Sequence, residues 1–468
     1  MSARPPSSSA PKLFGTDGIR GVANCEPVTP QLALELGGLI AELFRTGTER
    51  PLVLVGRDTR LSGPMLEAAL TAGLLSAGAD VAQLGVVPTP AVALLTRTLG
   101  AAAGVVISAS HNPFPDNGLK IFQGNGMKCD DTLEQRIEEV LADPARLRPP
   151  APVGAGLGRI VPMPEARERY QEAVLAAWPA SLPSGCKALH GLKIAVDAAN
   201  GAACQTTPAV LRALGAEVAL FHHEPDGTNI NRNCGSTYPE VIEQLVLSTG
   251  ADLGISHDGD ADRVVFSDGK GVALDGDEVL AIVGLHLLER RELNKSTLVA
   301  TVMSNLALDE LLLERGGLVR RSAVGDRAVL EEMIAHQLDF GGEQSGHIIF
   351  RRHATTGDGL LTALQLLRVI RETGKPLCEL RRVLQKYPQT LINLPVRERL
   401  PFEQIPGLAE AMGAVEKELD GKGRILLRYS GTEPKVRLLI EAKASGQLAD
   451  FAERILAPLR EAIGVEAA

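Results

Sequence analysis

The 468-residue chain has few aromatic side chains, which make up only 3% of its residues. Proteins that bind single-stranded nucleic acid stack bases on such side chains, so the composition argues against that function. The net charge of −9 points the same way, because a surface that binds polyanions needs an excess of Lys and Arg. We therefore expect a small-molecule ligand and no nucleic-acid partner.

Several common sequence motifs are also missing. The six cysteines form no CxxC pair, which argues against a zinc site and favours a reduced, cytoplasmic protein. Neither GxGxxG nor GxxxxGK[ST] occurs, so dinucleotide binding and a P-loop have no support. No apolar run predicts a signal peptide or a membrane span. Residues 1–12, MSARPPSSSAPK, are typical of a disordered tail.

What the chain does contain is enough apolar material for several cores. Hydrophobic residues make up 45% of it, and at about 150 residues per domain the length predicts three or four domains. A strand, loop, helix and second strand occur in this order three times, beginning at Leu52, Leu192 and Thr297. Strands that alternate with helices in this way predict α/β domains whose parallel strands are covered on both faces.

The chain from Leu391 onward has a different pattern. A strand, a helix, two strands and a last helix predict a small α+β domain, and the Pro-rich stretch 146–160 is typical of a linker. We predict a tail at 1–12, three α/β domains at 13–160, 161–272 and 273–388, and an α+β domain at 389–468.

The segment ISHDGDADRVVF (255–266) has the most restrictive spacing. Asp258, Asp260 and Asp262 alternate after an apolar strand, with small residues between them that let the backbone curl and the carboxylates converge. Three hard oxygen donors suit Mg²⁺. An EF-hand is excluded, because its sixth and twelfth loop positions would be Arg and Gly here. An acidic surface turn is the alternative interpretation.

The segment GVVISASHNPFPDNGLKIF (104–122) contains a partner for such a metal. Ser110 stands where the strand must break into a turn, whereas Ser108 lies nearer the strand. A phosphorylated serine is a dianion whose oxygens can complete a Mg²⁺ shell, so Ser110 is the candidate phosphoryl carrier. Lys120, on a predicted return strand, is either a donor to the transferred group or an exposed strand lysine. The context S-A-S-H-N does not match the GxSxG turn of hydrolases.

Two further segments suggest contacts to a sugar and to a phosphate. GGEQSGH (341–347) places Glu343, Ser345 and His347 at alternate positions, which point to one side of an extended segment. Glu343 and Ser345 could bind adjacent sugar hydroxyls while His347 donates or accepts a proton, or all three could belong to a Gly-rich turn with satisfied polar groups. FGTDGIRG (14–21) places Arg20 in a Gly-rich stretch, which is a loop by itself and a cationic clamp if a phosphate lies nearby.

The segment RYSGTEPKVR (428–437) predicts a phosphate-binding turn. Two guanidinium groups, hydroxyl groups and the free backbone N–H groups of a Gly turn together suit a phosphate. The residues in question are Arg428, Ser430, Gly431, Thr432 and Arg437.

Four motifs in this order, SASHNP, DGDADR, GEQSGH and RYSGTEPKVR, resemble those of the α-D-phosphohexomutase superfamily over nearly the whole chain. GTDGIRG, NINRNCGS, VMSNLALDELL, AVGDRAVLEEM and TTGDG are similar to its bacterial phosphoglucosamine mutase branch. The resemblance implies three similar α/β domains with mixed sheets and a C-terminal α+β domain, around a central cleft. It also implies an isomerase that interconverts glucosamine 6-phosphate and glucosamine 1-phosphate, on the way to UDP-N-acetylglucosamine and cell-wall precursors.

The resemblance implies a role for each matching residue. Ser110 becomes a phosphoserine that holds Mg²⁺ together with the three aspartates, and a sugar 1,6-bisphosphate is the intermediate and activator. Residues of the catalytic centre match Arg20, His111, Lys120 and Arg263. Residues that bind the sugar match Glu343, Ser345 and His347. Residues of a distal phosphate site match Arg428, Ser430, Gly431, Thr432 and Arg437.

Three alternatives stay open at this point. The nearest is a phosphoglucomutase or phosphomannomutase acting on neutral hexose phosphates. Asp326 stands where that branch usually has a histidine, which favours an amino sugar. A sugar-phosphate-binding protein without activity and a metal-dependent phosphatase are the others. A homodimer is expected only because relatives often form dimers.

Overall fold

The computed structural model describes residues 13–15, 17–45, 50–143, 152–179, 187–430, 434–444 and 446–465. The predicted tail at 1–12 lies outside these ranges, as do Gly431 and Thr432 of the predicted phosphate-binding turn. Within these ranges, none of the helices combines the length and the apolar character that crossing a membrane requires.

The first sheet has six strands in the order β1-β5-β4-β2-β3-β6. Strand β2 is parallel to β3 and β4, whereas β4 and β5 are antiparallel, so the sheet is mixed. The elements up to the second sheet are β1 (Ile19–Val22), α1 (Pro30–Leu43), β2 (Leu52–Arg57), α2 (Gly63–Ser76), β3 (Asp80–Val86), α3 (Thr89–Thr98), β4 (Ala103–Ile107), β5 (Asp116–Gln123), α4 (Asp131–Ala142), β6 (Ile160–Val161) and α5 (Ala166–Ala176).

The second sheet has five strands in the order β11-β10-β9-β7-β8 and is also mixed. Its central strand β9 is parallel to β7 and antiparallel to β10. The elements are β7 (Lys193–Asp197), α6 (Thr206–Ala213), β8 (Glu217–Phe221), α7 (Pro239–Thr249), β9 (Leu253–His257), β10 (Val264–Asp268) and β11 (Ala273–Leu274).

The third sheet has four strands in the order β13-β12-β14-β15, with only the last pair antiparallel. The elements are α8 (Gly276–Glu289), β12 (Thr297–Thr301), α9 (Ala307–Glu314), β13 (Leu318–Ser322), α10 (Asp326–Ala335), β14 (Phe340–Gly342), β15 (Ile348–Phe350), α11 (Gly359–Thr373) and α12 (Leu377–Leu380).

The fourth sheet has three antiparallel strands in the order β16-β18-β17, and two helices accompany it. The elements are β16 (Gln389–Pro395), α13 (Leu408–Leu419), β17 (Gly423–Tyr429), β18 (Lys435–Ala442) and α14 (Leu448–Ile463). The predicted fold class, three α/β units with mixed sheets and a C-terminal α+β unit, is confirmed. The predicted domain boundaries stay a prediction; β11 pairs with the second sheet just beyond the boundary placed at 272.

Helix α11 lies in the largest hydrophobic core. It begins after Asp358, whose carboxylate accepts the Leu361 N–H group (2.9 Å). It ends at Thr373, and the next residue, Gly374, has a φ of 70° that suits a glycine. Leu364 of this helix belongs to a core that extends to Ile255 in the second sheet and Val106 in the first. Strands from three sheets are thus packed into one body. The fourth sheet has a separate core, formed by Val396, Val436, Leu438, Ile455 and Leu459 among others.

Four of the segments that carry the predicted chemistry share one structural context. Each lies between two neighbouring antiparallel strands, namely β4 and β5, β9 and β10, β14 and β15, or β17 and β18. In a connection of this kind the turn leaves the sheet, so its polar groups can face a ligand while the strands stay buried.

Candidate active site

The two serines after β4 point in different directions. Ser110 is 1% exposed, and its Oγ donates a hydrogen bond to Oδ2 of Asp258 (2.6 Å) in the second sheet's turn. Oγ of Ser108 donates instead to Asp58 (2.7 Å) and accepts the backbone N–H of Ser110 (2.9 Å). Ser110 therefore faces the acidic turn, and Ser108 supports the loop from within the first sheet.

The three aspartates of the turn between β9 and β10 converge, as their spacing predicts. Asp258, Asp260 and Asp262 are nearly inaccessible to solvent, and each offers a carboxylate oxygen within 4.8 Å of the others. Oδ1 of Asp260 and Oδ1 of Asp262 are buried without a hydrogen-bond partner. Burial, together with the charges of the other two carboxylates, raises the pKa of Asp258 well above its usual range. The alternative of an exposed acidic turn is wrong, and the donor set fits a hard divalent cation such as Mg²⁺.

Close backbone approach fixes this turn against the serine loop. A Cβ atom at Gly259 would lie 2.7 Å from the carbonyl oxygen of Ser110, so only glycine fits there without a shift. The carbonyl of Ala261, a residue with φ of 58°, accepts the Gly359 N–H group (3.0 Å), and the Thr89 N–H group donates to the carbonyl of Asp260 (2.9 Å). Gly359, the second glycine of TTGDG, thus helps to hold the aspartate turn in place.

Lys120 lies inside the site and not on an exposed strand. Its Nζ is 2.7 Å from Oδ2 of Asp260 and 2.9 Å from Oδ2 of Asp17, and the side chain is 1% exposed. Burial by itself would lower the pKa of Lys120, but the two carboxylates outweigh burial and raise it. Lys120 therefore stays charged beside the three aspartates.

Arg20 belongs to a network of charges that the sequence indicated only in part. Its guanidinium pairs with Asp17, and Lys128 pairs with both Asp17 and Asp326. Burial would raise the pKa of Asp17, but Lys120 and Lys128 lower it overall. We did not predict Asp17 or Lys128 as site residues. Asp17 lies within GTDGIRG beside Arg20, whereas nothing in the sequence around Lys128 indicated a role.

Arg263 and His111 complete the centre. The Arg263 N–H group donates to Oδ1 of Asp258 (3.2 Å), and its Nε lies 3.9 Å from Oδ1 of Asp262. Nδ1 of His111 is 3.4 Å from Oγ of Ser110. Burial, and then the positive charge of Arg263, lower the pKa of His111 to about 4, so this imidazole is neutral at pH 7.

The predicted sugar-binding residues lie between β14 and β15 but differ in exposure. Glu343 accepts the N–H group of Gly325 (3.0 Å), and burial raises its pKa. His347 is 2% exposed, with Nε2 3.4 Å from a carboxylate oxygen of Asp326 and 3.9 Å from one of Asp262. Ser345 is exposed at the tip of the turn. His347 thus lies beside Asp326 and the aspartate triad.

The predicted phosphate-binding arginines lie on the fourth sheet. Arg428 on β17 is the direct cross-strand partner of Arg437 on β18, so their side chains lie on the same face. Burial and then the charge of Arg437 lower the pKa of Arg428. Arg399 donates to the carbonyl oxygen of Ser430 (2.7 Å) at the adjoining turn. Two like charges held together in this way favour an anionic ligand.

Comparison with known proteins identifies the family. Four models named for phosphoglucomutase/phosphomannomutase match the chain: domain I at residues 11–146, domain II at 168–271, domain III at 275–387 and the C-terminal domain at 391–457. The chain belongs to the phosphoglucomutase/phosphomannomutase family. The resemblance stated from the motifs is therefore confirmed.

Individual members of this family are similar over nearly their full length. The chain is 50% identical over 449 residues to a phosphoglucosamine mutase of Desulforudis audaxviator, covering 96% of this chain and 98% of that one. It is 48% identical over 444 residues to the phosphoglucosamine mutase of Nitratidesulfovibrio vulgaris strain DP4, with 95% and 97% covered. These family members are mutases, so the predicted enzyme class, isomerase, is confirmed.

Two solved structures share the fold. A phosphoglucomutase/phosphomannomutase family protein from Burkholderia thailandensis superposes with a TM-score of 0.79 at 25% identity, covering 97% of this chain and 99% of that one. An N-acetylphosphoglucosamine mutase from Aspergillus fumigatus, solved with GlcNAc-6P and magnesium, gives a TM-score of 0.68 at 17% identity, with 97% and 96% covered. The second likeness supports the fold alone.

Proposed function

We propose that this chain interconverts glucosamine 6-phosphate and glucosamine 1-phosphate by way of a sugar 1,6-bisphosphate. The observation that carries the proposal is the hydrogen bond from Oγ of Ser110 to Asp258 (2.6 Å), in a buried group of three aspartates. The substrate class follows from the phosphoglucosamine mutases to which the chain is 48% to 50% identical.

Ser110 in its phosphorylated form, with Asp258, Asp260 and Asp262, would hold Mg²⁺. The two carboxylate oxygens of Asp260 and Asp262 that lack a hydrogen-bond partner support this assignment. When bound, the ion supplies positive charge that offsets the negative charge of the transferred phosphoryl group.

The chain's own cations would surround the same group. The phosphoryl group leaves Oγ of Ser110 as its phosphorus bonds to a sugar hydroxyl oxygen, and Lys120, Arg20 and Arg263 place positive charge around it. The proton of the attacking hydroxyl must pass to Oγ of Ser110, and His111, whose Nδ1 lies 3.4 Å from that Oγ, is a candidate to relay it. Burial of the centre keeps water away from the phosphoryl group.

The reverse transfer needs a second phosphate site. The bisphosphate must turn so that its other phosphate faces Ser110, and a remote site must hold whichever phosphate is not reacting. We assign that site to Arg428, Ser430, Gly431, Thr432 and Arg437. Glu343, Ser345 and His347 would bind sugar hydroxyls between the two sites.

We also propose a cellular location, domain boundaries and an oligomeric state. The cysteines of the described residues are free, which is compatible with a reduced, cytoplasmic location. The four domains are proposed at 13–160, 161–272, 273–388 and 389–468. A homodimer is proposed only by analogy with relatives.

A coupled assay tests the function. Glucosamine 6-phosphate, Mg²⁺ and a trace of glucose 1,6-bisphosphate should yield glucosamine 1-phosphate, and intact-mass analysis should find one phosphoryl group on the enzyme. A kcat/KM higher for glucose or mannose phosphates would overturn the amino-sugar assignment. Steady release of inorganic phosphate without isomerised sugar would indicate a phosphatase.

A further inference from the structure

The carbonyl oxygen of Ser110 is held by two donors that come from different parts of the chain. Nδ2 of Asn231 donates to it at 2.8 Å and Nη2 of Arg60 at 2.9 Å. The same two groups also donate to the carbonyl of Asn112, at 3.1 and 2.9 Å. Two side chains thus fix two peptide groups on either side of His111.

These bonds matter because of the backbone conformation of Ser110. Its φ is 53°, in the left-handed region that residues other than glycine, asparagine and aspartate seldom adopt. This conformation aims Oγ at Asp258. If the residue relaxed to a negative φ, its Cβ would turn and Oγ would leave the aspartates.

Arg60 directs most of its hydrogen bonds to this loop. It is 0% exposed, and its Nε pairs with Asp58 (2.8 Å). Its Nη1 donates to the carbonyls of Pro113 (2.5 Å) and Asp116 (2.9 Å), in addition to the two bonds from Nη2. All five guanidinium N–H groups therefore have an acceptor, and four of these acceptors are carbonyls of the segment 110–116.

Asn231 is itself held in place by the second sheet. Its N–H group donates to the carbonyl of Ala199 (3.0 Å), and Asp197 accepts the N–H groups of Ala199 (2.9 Å) and Gly235 (2.7 Å). Asp197 lies near His222 and Cys234 in a possible metal-ligand group. Because its oxygens already accept these bonds, we assign it an anchoring role for the segment that carries Asn231.

We propose that Asn231 and Arg60 are positioning residues for phosphoryl transfer. By holding the carbonyl of Ser110 they keep its left-handed backbone, and with it the alignment of Oγ with the aspartate turn. Asn231 makes that alignment depend on contact between the first and second sheets. The inference rests on the proposed role of Ser110.

The test uses two glycine substitutions in one loop. Asn231 and Asn233 both have a left-handed backbone, with φ of 56° and 55°, so glycine replaces either without backbone strain. Asn233 is exposed, whereas Asn231 is buried against the serine loop. Asn231→Gly removes the clamp and Asn233→Gly is the matched control. Arg60→Lys keeps the charge but loses most of the carbonyl contacts, and it serves as a second variant.

The expected result is a change in kcat without a change in KM. A small misplacement of reacting atoms costs up to about a hundredfold in rate, so Asn231→Gly should lower kcat by roughly tenfold to a hundredfold. Its KM should stay within about twofold, because the distal phosphate site is untouched, and its melting temperature should lie only a few degrees below that of Asn233→Gly, because a buried side chain with two hydrogen bonds is lost. Equal kcat values for the two variants would overturn the proposal. A fall in kcat that is accompanied by a rise in KM and a large drop in melting temperature would also overturn it.

A second readout separates this proposal from the choice of substrate. The rate at which Ser110 captures a phosphoryl group from glucose 1,6-bisphosphate, followed by intact mass, should fall in Asn231→Gly and not in Asn233→Gly. If the wild type captures the group but does not convert glucosamine 6-phosphate, only the proposed substrate fails, and the capture rates still decide the role of Asn231. If the wild type captures no phosphoryl group, both proposals are wrong.

A crystal structure of Asn231→Gly gives an answer that needs no activity. We expect φ of residue 110 to become negative and the distance between Oγ and Asp258 to increase. An unchanged loop, with φ still near the left-handed value, would contradict the proposed positioning role.

Discussion

The turn around Ser110 and the turn around Ser430 both connect antiparallel strands, yet the rest of the molecule holds them differently. In the aspartate turn that Ser110 contacts, Asp260 accepts hydrogen bonds from Thr89 at the start of α3 (2.6 Å) and from Lys120 on β5 (2.7 Å). The fourth sheet keeps its own hydrophobic core. Its hydrogen bonds to the third sheet include Arg424 to the carbonyl of Ser304 (2.6 Å) and the Leu306 N–H group to Glu441 (3.2 Å).

This difference corresponds to two requirements of the proposed reaction. Phosphoryl transfer needs fixed atoms, and a buried site tied across two sheets supplies them. A site for the distant phosphate must accept either end of a bisphosphate and then release product, which suits a unit joined through a short loop. The predictions below test this contrast, beginning with the largest expected effect.

The strongest test of the fixed centre is the pair of serines. Ser110→Ala should lower kcat by at least about a thousandfold, because the phosphoryl carrier is lost. Ser108→Ala removes two supporting hydrogen bonds, one to Asp58 and one from the Ser110 N–H group, and should keep the phosphoryl group. Coupled turnover and intact mass measure both. A phosphorylated and active Ser110→Ala enzyme would place the chemistry elsewhere.

Removal of one aspartate tests whether a cation balances the charge of the centre. Mg²⁺ should raise the melting temperature of the wild type by about 5 °C at saturation, because it binds the folded state. Asp258→Asn should lose most of this increase and most of the activity. Without metal it should be at least as stable as the wild type, since burial and the other two carboxylates raise the pKa of Asp258. Differential scanning fluorimetry with EDTA or Mg²⁺ measures these shifts.

An equal response of the two proteins to Mg²⁺ would show that the ion binds elsewhere. A metal-free Asp258→Asn protein that is less stable than the metal-free wild type would show that the three carboxylates are not repelling one another.

For the arginines of the fourth sheet we expect substitution to weaken substrate binding. Arg428→Ala should raise KM by roughly tenfold to a hundredfold, as expected for a lost charged hydrogen bond of about 1.5–3 kcal/mol, while kcat changes less. Lys422→Ala, which removes an exposed cation from the same sheet region, is the control. Steady-state kinetics separates the two parameters. A fall in kcat with constant KM would make the fourth sheet part of the fixed centre, and the contrast would disappear.

The same contrast explains what the sequence could predict. The aspartate turn and Ser110 stand out because a buried strand followed by polar residues is a local pattern. The first helix predicted after Leu391 is α13, Leu408–Leu419, and its apolar residues recur at helical spacing. Those signals need only neighbouring residues.

The residues that we missed act across long separations in the chain. Arg60 contacts Ser110 from 50 residues away, and Asn231 contacts it from 121 residues away. Lys128 reaches Asp326 across 198 residues. Only the assembled sheets bring such pairs together, so no local pattern indicates them. NINRNCGS was noticed for its likeness to a family, and its contact with the serine loop appears only in the fold.

The smallest predicted effect concerns the junction between the third and fourth sheets. Asp277, at the start of α8, is 0% exposed and accepts the Asn305 N–H group (2.8 Å) in the loop that contacts the fourth sheet. Burial, and then the charge of Asp275, raise the pKa of Asp277 to about 6 in the folded chain, from 3.8. The folded state therefore binds the proton more tightly. This group's contribution to stability is full below pH 3.8 and is lost as the pH rises through 6.

Asp277→Asn removes that pH dependence, so the stability of this variant relative to the wild type should increase as the pH rises. Between pH 5 and pH 8 the gain in free energy of unfolding should be about 1 kcal/mol, which corresponds to a shift of roughly 1–4 °C in melting temperature. Asp420→Asn, at an exposed left-handed position that asparagine tolerates, is the control and should follow the wild type. Melting curves at several pH values measure the difference. A constant offset between Asp277→Asn and the wild type would mean that Asp277 is already ionised at pH 5, and that the junction is more open to water than its burial indicates.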